Sequence, residues 1–214
     1  MFLNFHTHFS KNPSLEILNV EQDDFESKSY FSIAYHPKDC LNFTDFSSAL
    51  DSEFCLAIGE TGLDKTITVS FEVQKEVFIK HIALSENFKL PLIIHCVKAW
   101  NEILKLKKEL KPKQKWIFHG FRKTTLLASV LENDVLIGIG SAILFDKKLQ
   151  EALKLIPLEK ILLETDDNET VTIEEIYMKV AQIKNISLQN LKEQILLNFL
   201  ETFQKFSYEF EVSS

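Results

Sequence analysis

Short apolar runs recur along the chain at Phe2–His6, Leu15–Val20, Tyr30–Tyr35, Phe54–Gly59, Leu90–His95, Trp116–His119, Val135–Ile139 and Lys160–Glu164. Each has the length and the aliphatic or aromatic character of a buried strand. From the fourth run onward, a helical pattern follows. Phe71, Phe78 and Ile82 share one stripe of a helix over roughly 71–88. Trp100, Ile103, Leu104 and Leu110 mark a second, which Pro112 ends. Further helices are predicted over roughly 124–132 and from about Asp146 to Ile156, before Pro157. Thr172 with Glu175 forms a capping-box pattern that opens a helix through Lys184. A last helix starts near Ser187 and carries Leu191, Ile195, Phe199 and Phe203 at four-residue spacing.

Alternating strands and helices imply a parallel sheet covered by helices. Eight such runs predict an α/β fold of the TIM-type (β/α)8 barrel class, with residues 1–214 forming one domain. At 214 residues the chain is shorter than the ~250 typical of that barrel. The deficit lies at the amino-terminal end. The first run ends at His6 and the third begins at Tyr30, with the second run between them. No crossover helices fit there, so the first helices are expected to be reduced or missing, with Phe46–Leu50 a stub of the third.

Composition narrows the function. A net charge of -7 argues against a broad polyanion-binding surface, although bound divalent cations reverse the sign locally. Of the 24 Lys and Arg residues, only Arg122 is Arg. Cys40, Cys55 and Cys96 lack metal-finger spacing and fit a reduced, cytoplasmic protein. No basic-then-apolar leader and no membrane-length apolar stretch is visible, and nothing suggests a protein partner.

The candidate chemistry sits at the ends of the runs. His6 and His8, one residue apart, project to one side of a strand. Glu60, His95, His119 and Asp166 close four later runs. In barrels of this class functional groups gather at the carboxyl ends of strands, and all of these are metal-ligating types. The pattern therefore predicts a metal site.

The segments Phe5-His6-Thr7-His8, Tyr35-His36-Pro37, Ile58-Gly59-Glu60-Thr61-Gly62-Leu63-Asp64, Pro91-Leu92-Ile93-Ile94-His95, Ile117-Phe118-His119-Gly120-Phe121 and Leu162-Leu163-Glu164-Thr165-Asp166 together resemble the TatD family of metal-dependent hydrolases. They occur in family order, and the shortened amino-terminal half looks like a compact branch. The resemblance implies two divalent ions (Zn²⁺, Mn²⁺ or Mg²⁺), one held by His6, His8 and Asp166 and the other by His95 and His119, with Glu60 bridging. It implies catalytic roles for Glu60 and Asp166, the latter accepting a proton from the attacking water. The implied substrate is a phosphodiester, small or nucleic acid, and most narrowly the 3′ end of DNA. Asp64 and Glu164 read as supporting groups, His36 as a phosphate contact or a loop cap, and His81 as an ordinary helix residue.

Two departures mark this chain. Asn4 stands where members commonly have Asp, and Cys96-Val97-Lys98 replaces the usual Ser-Arg-Asp after the His95 position. Arg122, after His119-Gly120-Phe121, is expected with Lys98 to bind the substrate's anionic group in place of the missing Arg. Two rival functions remain: hydrolysis of a lactone, amide or phosphotriester, which such barrels also host, and metal binding without catalysis.

Overall fold

The computed structural model describes residues 1–12, 15–21 and 29–207. Eight parallel strands run in sequence order: β1 (Asn4–Thr7), β2 (Glu16–Val20), β3 (Phe31–Ile33), β4 (Cys55–Asp64), β5 (Leu92–Val97), β6 (Trp116–Phe118), β7 (Leu136–Ile139) and β8 (Ile161–Leu163). The helices are α1 (Ser47–Leu50), α2 (Phe71–Phe88), α3 (Trp100–Leu110), α4 (Leu127–Glu132), α5 (Lys147–Leu155), α6 (Ile173–Lys184) and α7 (Leu188–Thr202). Strands buried on both faces explain why the runs are continuously apolar rather than alternating.

The amino-terminal economy is as expected. Among the described residues no helix separates β1 from β2 or β2 from β3, and α1 is a four-residue stub. The end of the chain covers part of this gap. Phe206 packs on Tyr30, just ahead of β3, with ring centroids 5.1 Å apart. The Lys205 ammonium donates to the Leu50 and Ser52 carbonyls at 2.8 and 2.9 Å, satisfying the end of α1.

The helix signals also hold. Thr172 and Glu175 form the full capping box of α6, Ser187 caps α7, and Asp146 accepts from the Lys148 and Leu149 N–H groups at the start of α5. The helix expected over 124–132 begins as a 3-10 turn, Thr124–Leu126, before α4.

The barrel closes between β8 and β1 through a thin seam. Thr7 and Asp166 form an isolated parallel bridge. Side chains supply the rest. Asn4 donates to the Thr165 hydroxyl at 2.8 Å and accepts the Thr165 N–H at 3.1 Å. From α6, the buried Tyr177 hydroxyl accepts the Leu3 N–H at 3.1 Å and donates to the Leu3 carbonyl at 3.0 Å.

Candidate metal centre

Strand ends bring the predicted ligands together from both sides of the seam. His6 lies on β1 and is fully buried; His8 follows in a bend just past the strand. The Asp166 N–H donates to the His6 carbonyl, and the His8 N–H to the Asp166 carbonyl, each at 3.1 Å. The backbone itself thus sets these three side chains in register. Asp166 takes a left-handed backbone at φ 56°, which Asp tolerates better than most residues.

Glu60 arrives on β4, its N–H held by the Asn19 side chain of β2 at 2.9 Å. Two residues on, Gly62 has φ 150° and pairs with His95 of β5. A Cβ there would stand 2.0 Å from the His95 carbonyl oxygen, so glycine permits the approach that sets Glu60 against His95. His119 follows β6, its N–H donating to the Ile94 carbonyl at 3.2 Å.

Glu60 sits between two groups of imidazoles. Its Oε1 lies 2.6 Å from His95 Nδ1 and 2.7 Å from His119 Nε2. Its Oε2 faces the other side, 3.8 Å from His6 Nε2 and 3.7 Å from His8 Nε2. Asp166 Oδ1 completes that side at 3.4 Å from His6 Nε2 and 3.6 Å from His8 Nε2.

The electrostatics follow from burial and crowding. Burial pushes the His6 imidazole below its ordinary value, keeping it in the neutral form that ligates. Burial pushes the Glu60 carboxyl up, but His119 beside it and hydrogen bonding with His8 and His95 outweigh that and hold it well below the usual range. Burial likewise opposes the charge on His119, yet Glu60, Glu164 and Asp166 raise it to about 10, so His119 would give up its proton when a divalent ion takes over the neutralising of these carboxylates. For Asp166, the adjacent His6 overcomes a burial penalty and keeps the carboxyl low.

These residues fit divalent ions. Both His6 nitrogens and His119 Nδ1 are buried without a hydrogen-bond partner among the described residues, a costly state that coordination relieves. The trios His6/His8/Glu60, His6/His119/Asp166 and His36/Glu60/His95 each offer ligand atoms within 4.8 Å of one another. Imidazole with carboxylate suits Zn²⁺ or Mn²⁺ best, and Mg²⁺ less.

Supporting groups surround the cluster. Asp64 Oδ2 lies 3.4 Å from His95 Nε2, while Oδ1 accepts from the Thr66 backbone and hydroxyl. Glu164 accepts the Gly120 N–H at 2.6 Å, and its Oε2 lies 3.9 Å from His119 Nδ1. Burial raises the Glu164 carboxyl to about 8. Cys96 packs against the core.

The expected substrate-binding residues are placed differently from one another. His36 reaches the cluster, with Nε2 3.8 Å from Glu60 Oε1 and its ring 4.5 Å from that of His95. Lys98 is exposed just past β5. The Arg122 guanidinium is exposed and 3.7 Å from Asp146. A cleft of about 980 Å³ opens beside the cluster, and His8, Phe9, Tyr35, His36, Lys38 and Glu60 line part of it. Among the described residues lining it, Lys38 is a cation set among the carboxylates Glu21, Asp39 and Glu60; Arg122 and Lys98 are not among them. Sequence reasoning passed over Lys38, whose one signal is its place two residues after His36.

Comparison with known proteins agrees with this geometry. The model of the family described as TatD related DNase matches residues 3–204. An uncharacterized metal-dependent hydrolase of Bacillus subtilis, YabD, is 29% identical over 194 residues, covering 80% of this chain and 75% of its own. A similarly named hydrolase of Mycoplasma pneumoniae is 30% identical over 171 residues, 70% of this chain and 66% of its own. Among solved structures, the TatD homologue YJJV of Escherichia coli superposes with a TM-score of 0.82 at 18% identity, covering 95% of this chain and 98% of its own. A TatD family hydrolase of Entamoeba histolytica gives 0.76 at 18%, covering 94% and 97%. The barrel and the family match over residues 3–204 together establish that the chain belongs to the TatD-related family of metal-dependent hydrolases.

Proposed function

We propose that the protein hydrolyses phosphodiester bonds, with the 3′ ends of DNA as substrate, at a centre holding two divalent ions. The observation that carries this reading is the division of Glu60, with one oxygen toward His95 and His119 and the other toward His6 and His8. Zn²⁺, Mn²⁺ or Mg²⁺ bound there lowers the pKa of water toward neutrality and offsets charge on phosphoryl oxygens.

The chain's own residues divide the remaining work. Asp166, the more solvent-open of the two carboxylates at 32% against 8% for Glu60, accepts the proton of the attacking water. His36, beside Glu60 and His95, binds substrate. Its Nδ1 accepts the Lys38 N–H at 3.2 Å, so its proton lies on Nε2, aimed into the centre as a donor. Burial lowers His36 to about 4, so this neutral donor persists at physiological pH. Lys38 adds positive charge to the cleft, and Arg122 and Lys98, farther out, bind flanking phosphate. The acidic surface implies a short footprint, so activity falls only gently with salt. The free cysteines fit a reducing cytoplasmic setting, and no described helix is long and apolar enough to cross a membrane.

The test is release of nucleotides from end-labelled single-stranded DNA with Mn²⁺ or Zn²⁺, wild type against Glu60→Ala. Activity should vanish in the folded variant. Near-wild-type turnover by Glu60→Ala would sink the two-ion reading. Turnover of a lactone, amide or phosphotriester with none of DNA would replace the substrate.

A further inference from the structure

Five of the chain's six histidines meet at the metal centre. The sixth, His81, lies behind it on α2 and is fully buried. Gln74 and His81 are seven residues, or two turns, apart and share the face that α2 turns toward the barrel. Gln74 behaves as a substitute strand: its Oε1 accepts the Asp64 N–H at 2.8 Å, and its Nε2 donates to the Asp64 carbonyl at 3.0 Å. That anchors the end of β4.

His81 makes two bonds of another kind. Its Nε2 accepts the Tyr35 N–H at 3.2 Å. The ring proton therefore lies on Nδ1 and is donated to the Thr61 hydroxyl at 2.7 Å. Tyr35 directly precedes His36, and Thr61 directly follows Glu60. The rings of Tyr35, Phe43 and Phe46 surround His81 with centroids 6.4, 5.6 and 5.7 Å away. Within that apolar box burial lowers the imidazole to about 3, so it remains one acceptor and one donor across the working pH range.

We propose that His81 is a positioning residue, a fixed-length spacer that sets the His36 loop against Glu60 by bonding the neighbour of each. It touches neither substrate nor ion. The proposal rests on reading Glu60 as a metal ligand and His36 as a substrate contact. Supporting partners behind metal ligands typically matter about 10–100-fold in affinity or activity, and here the effect passes through one intervening residue, so the lower end is expected.

The experiment uses the metal-stripped protein titrated with Mn²⁺, with free Mn²⁺ followed by electron paramagnetic resonance, alongside steady-state hydrolysis of bis-nitrophenyl phosphate. His81→Phe fills the aromatic box but makes neither bond. It should weaken Mn²⁺ binding about tenfold and raise KM. His81→Gln offers an amide acceptor to the Tyr35 N–H at the reach of Nε2 and an amide donor close to the Thr61 hydroxyl, and should restore much of both readouts. Thr61→Val, which removes only the hydroxyl partner, should weaken Mn²⁺ binding and add nothing to His81→Phe in the double variant. A folded His81→Phe with wild-type Mn²⁺ affinity and KM overturns the proposal. If His81→Phe does not fold, unchanged Mn²⁺ affinity in Thr61→Val overturns it. A wild-type protein that binds no Mn²⁺ overturns the metal-centre reading, and this inference with it.

Discussion

Tyr177→Phe removes one oxygen atom from α6 and tests whether the barrel depends on its side-chain seam. The Leu3 N–H loses its acceptor and the Leu3 carbonyl one donor, both within a buried site where Leu3 and Tyr177 are each 1% exposed. An orphaned buried N–H costs about 1–3 kcal/mol, and the weakened carbonyl adds about 1, so the loss is about 2–4 kcal/mol. The aromatic ring and its edge contact with Phe2, at 5.1 Å, survive the substitution, so packing contributes little. For a chain of this size the melting midpoint should fall by roughly 5–15 °C. Urea unfolding followed by circular dichroism measures the change, with Tyr30→Phe as control. The Tyr30 hydroxyl bonds to Ser207 at the surface, at 3.2 Å, and its removal should cost within about 0.5 kcal/mol. Equal stabilities for the two variants would refute the seam argument.

Other expectations concern the centre and its support. At Gly138 an added Cβ would stand 2.6 Å from the Phe5 ring and 3.0 Å from both Glu164 Oε1 and the His119 Cα. Gly138→Ala should therefore cost about 1–3 kcal/mol in urea unfolding and weaken Zn²⁺ binding; unchanged Zn²⁺ affinity contradicts this. Chelation should lower the melting midpoint and Mn²⁺ restore it, by about 2.7 kcal/mol at a hundredfold excess over Kd, with no such shift in Glu60→Ala. His81 titrates at about 3 when folded against 6.5 when unfolded. Its contribution is complete above the unfolded value and declines as pH falls, by about 1.4 kcal/mol per unit. His81→Gln should thus lose about 2 kcal/mol less stability than wild type between pH 7 and 5, and parallel pH curves would contradict the assignment.

Sequence patterning located every strand and helix, because apolar runs and capping residues act locally. It missed how far some elements extend. The fourth run ends at Gly59 by hydrophobicity, whereas β4 continues to Asp64 because Thr61–Asp64 pair with Ile94–Val97 of β5. Register, not apolar character, holds those last residues in the strand. The 3-10 turns Pro37–Asn42 and Ser141–Leu144 carried no periodic signal. Among site residues, the candidate ligands that the fold brings together were legible because they punctuate apolar runs. His36 was recognised without its tautomer, which depends on the Lys38 N–H. His81 looked like an ordinary helix residue, since only the folded arrangement shows that Tyr35 and Thr61 meet on its two nitrogens. The seven-residue spacing from Gln74 was the available clue, two polar residues on a face that should be apolar.

The seam between β1 and β8 also sets when the centre can exist. His6 and His8 come from the end of β1, yet their partner Asp166 and the lock from Tyr177 follow β8. A ribosome-bound chain therefore presents two histidines that cannot meet Asp166 until β8 has emerged. Contacts of such long sequence separation form late and slowly. Closure therefore completes the centre, and fragments ending before residue 166 should hold ions more weakly, without the Asp166 carboxylate that faces His6 and His8.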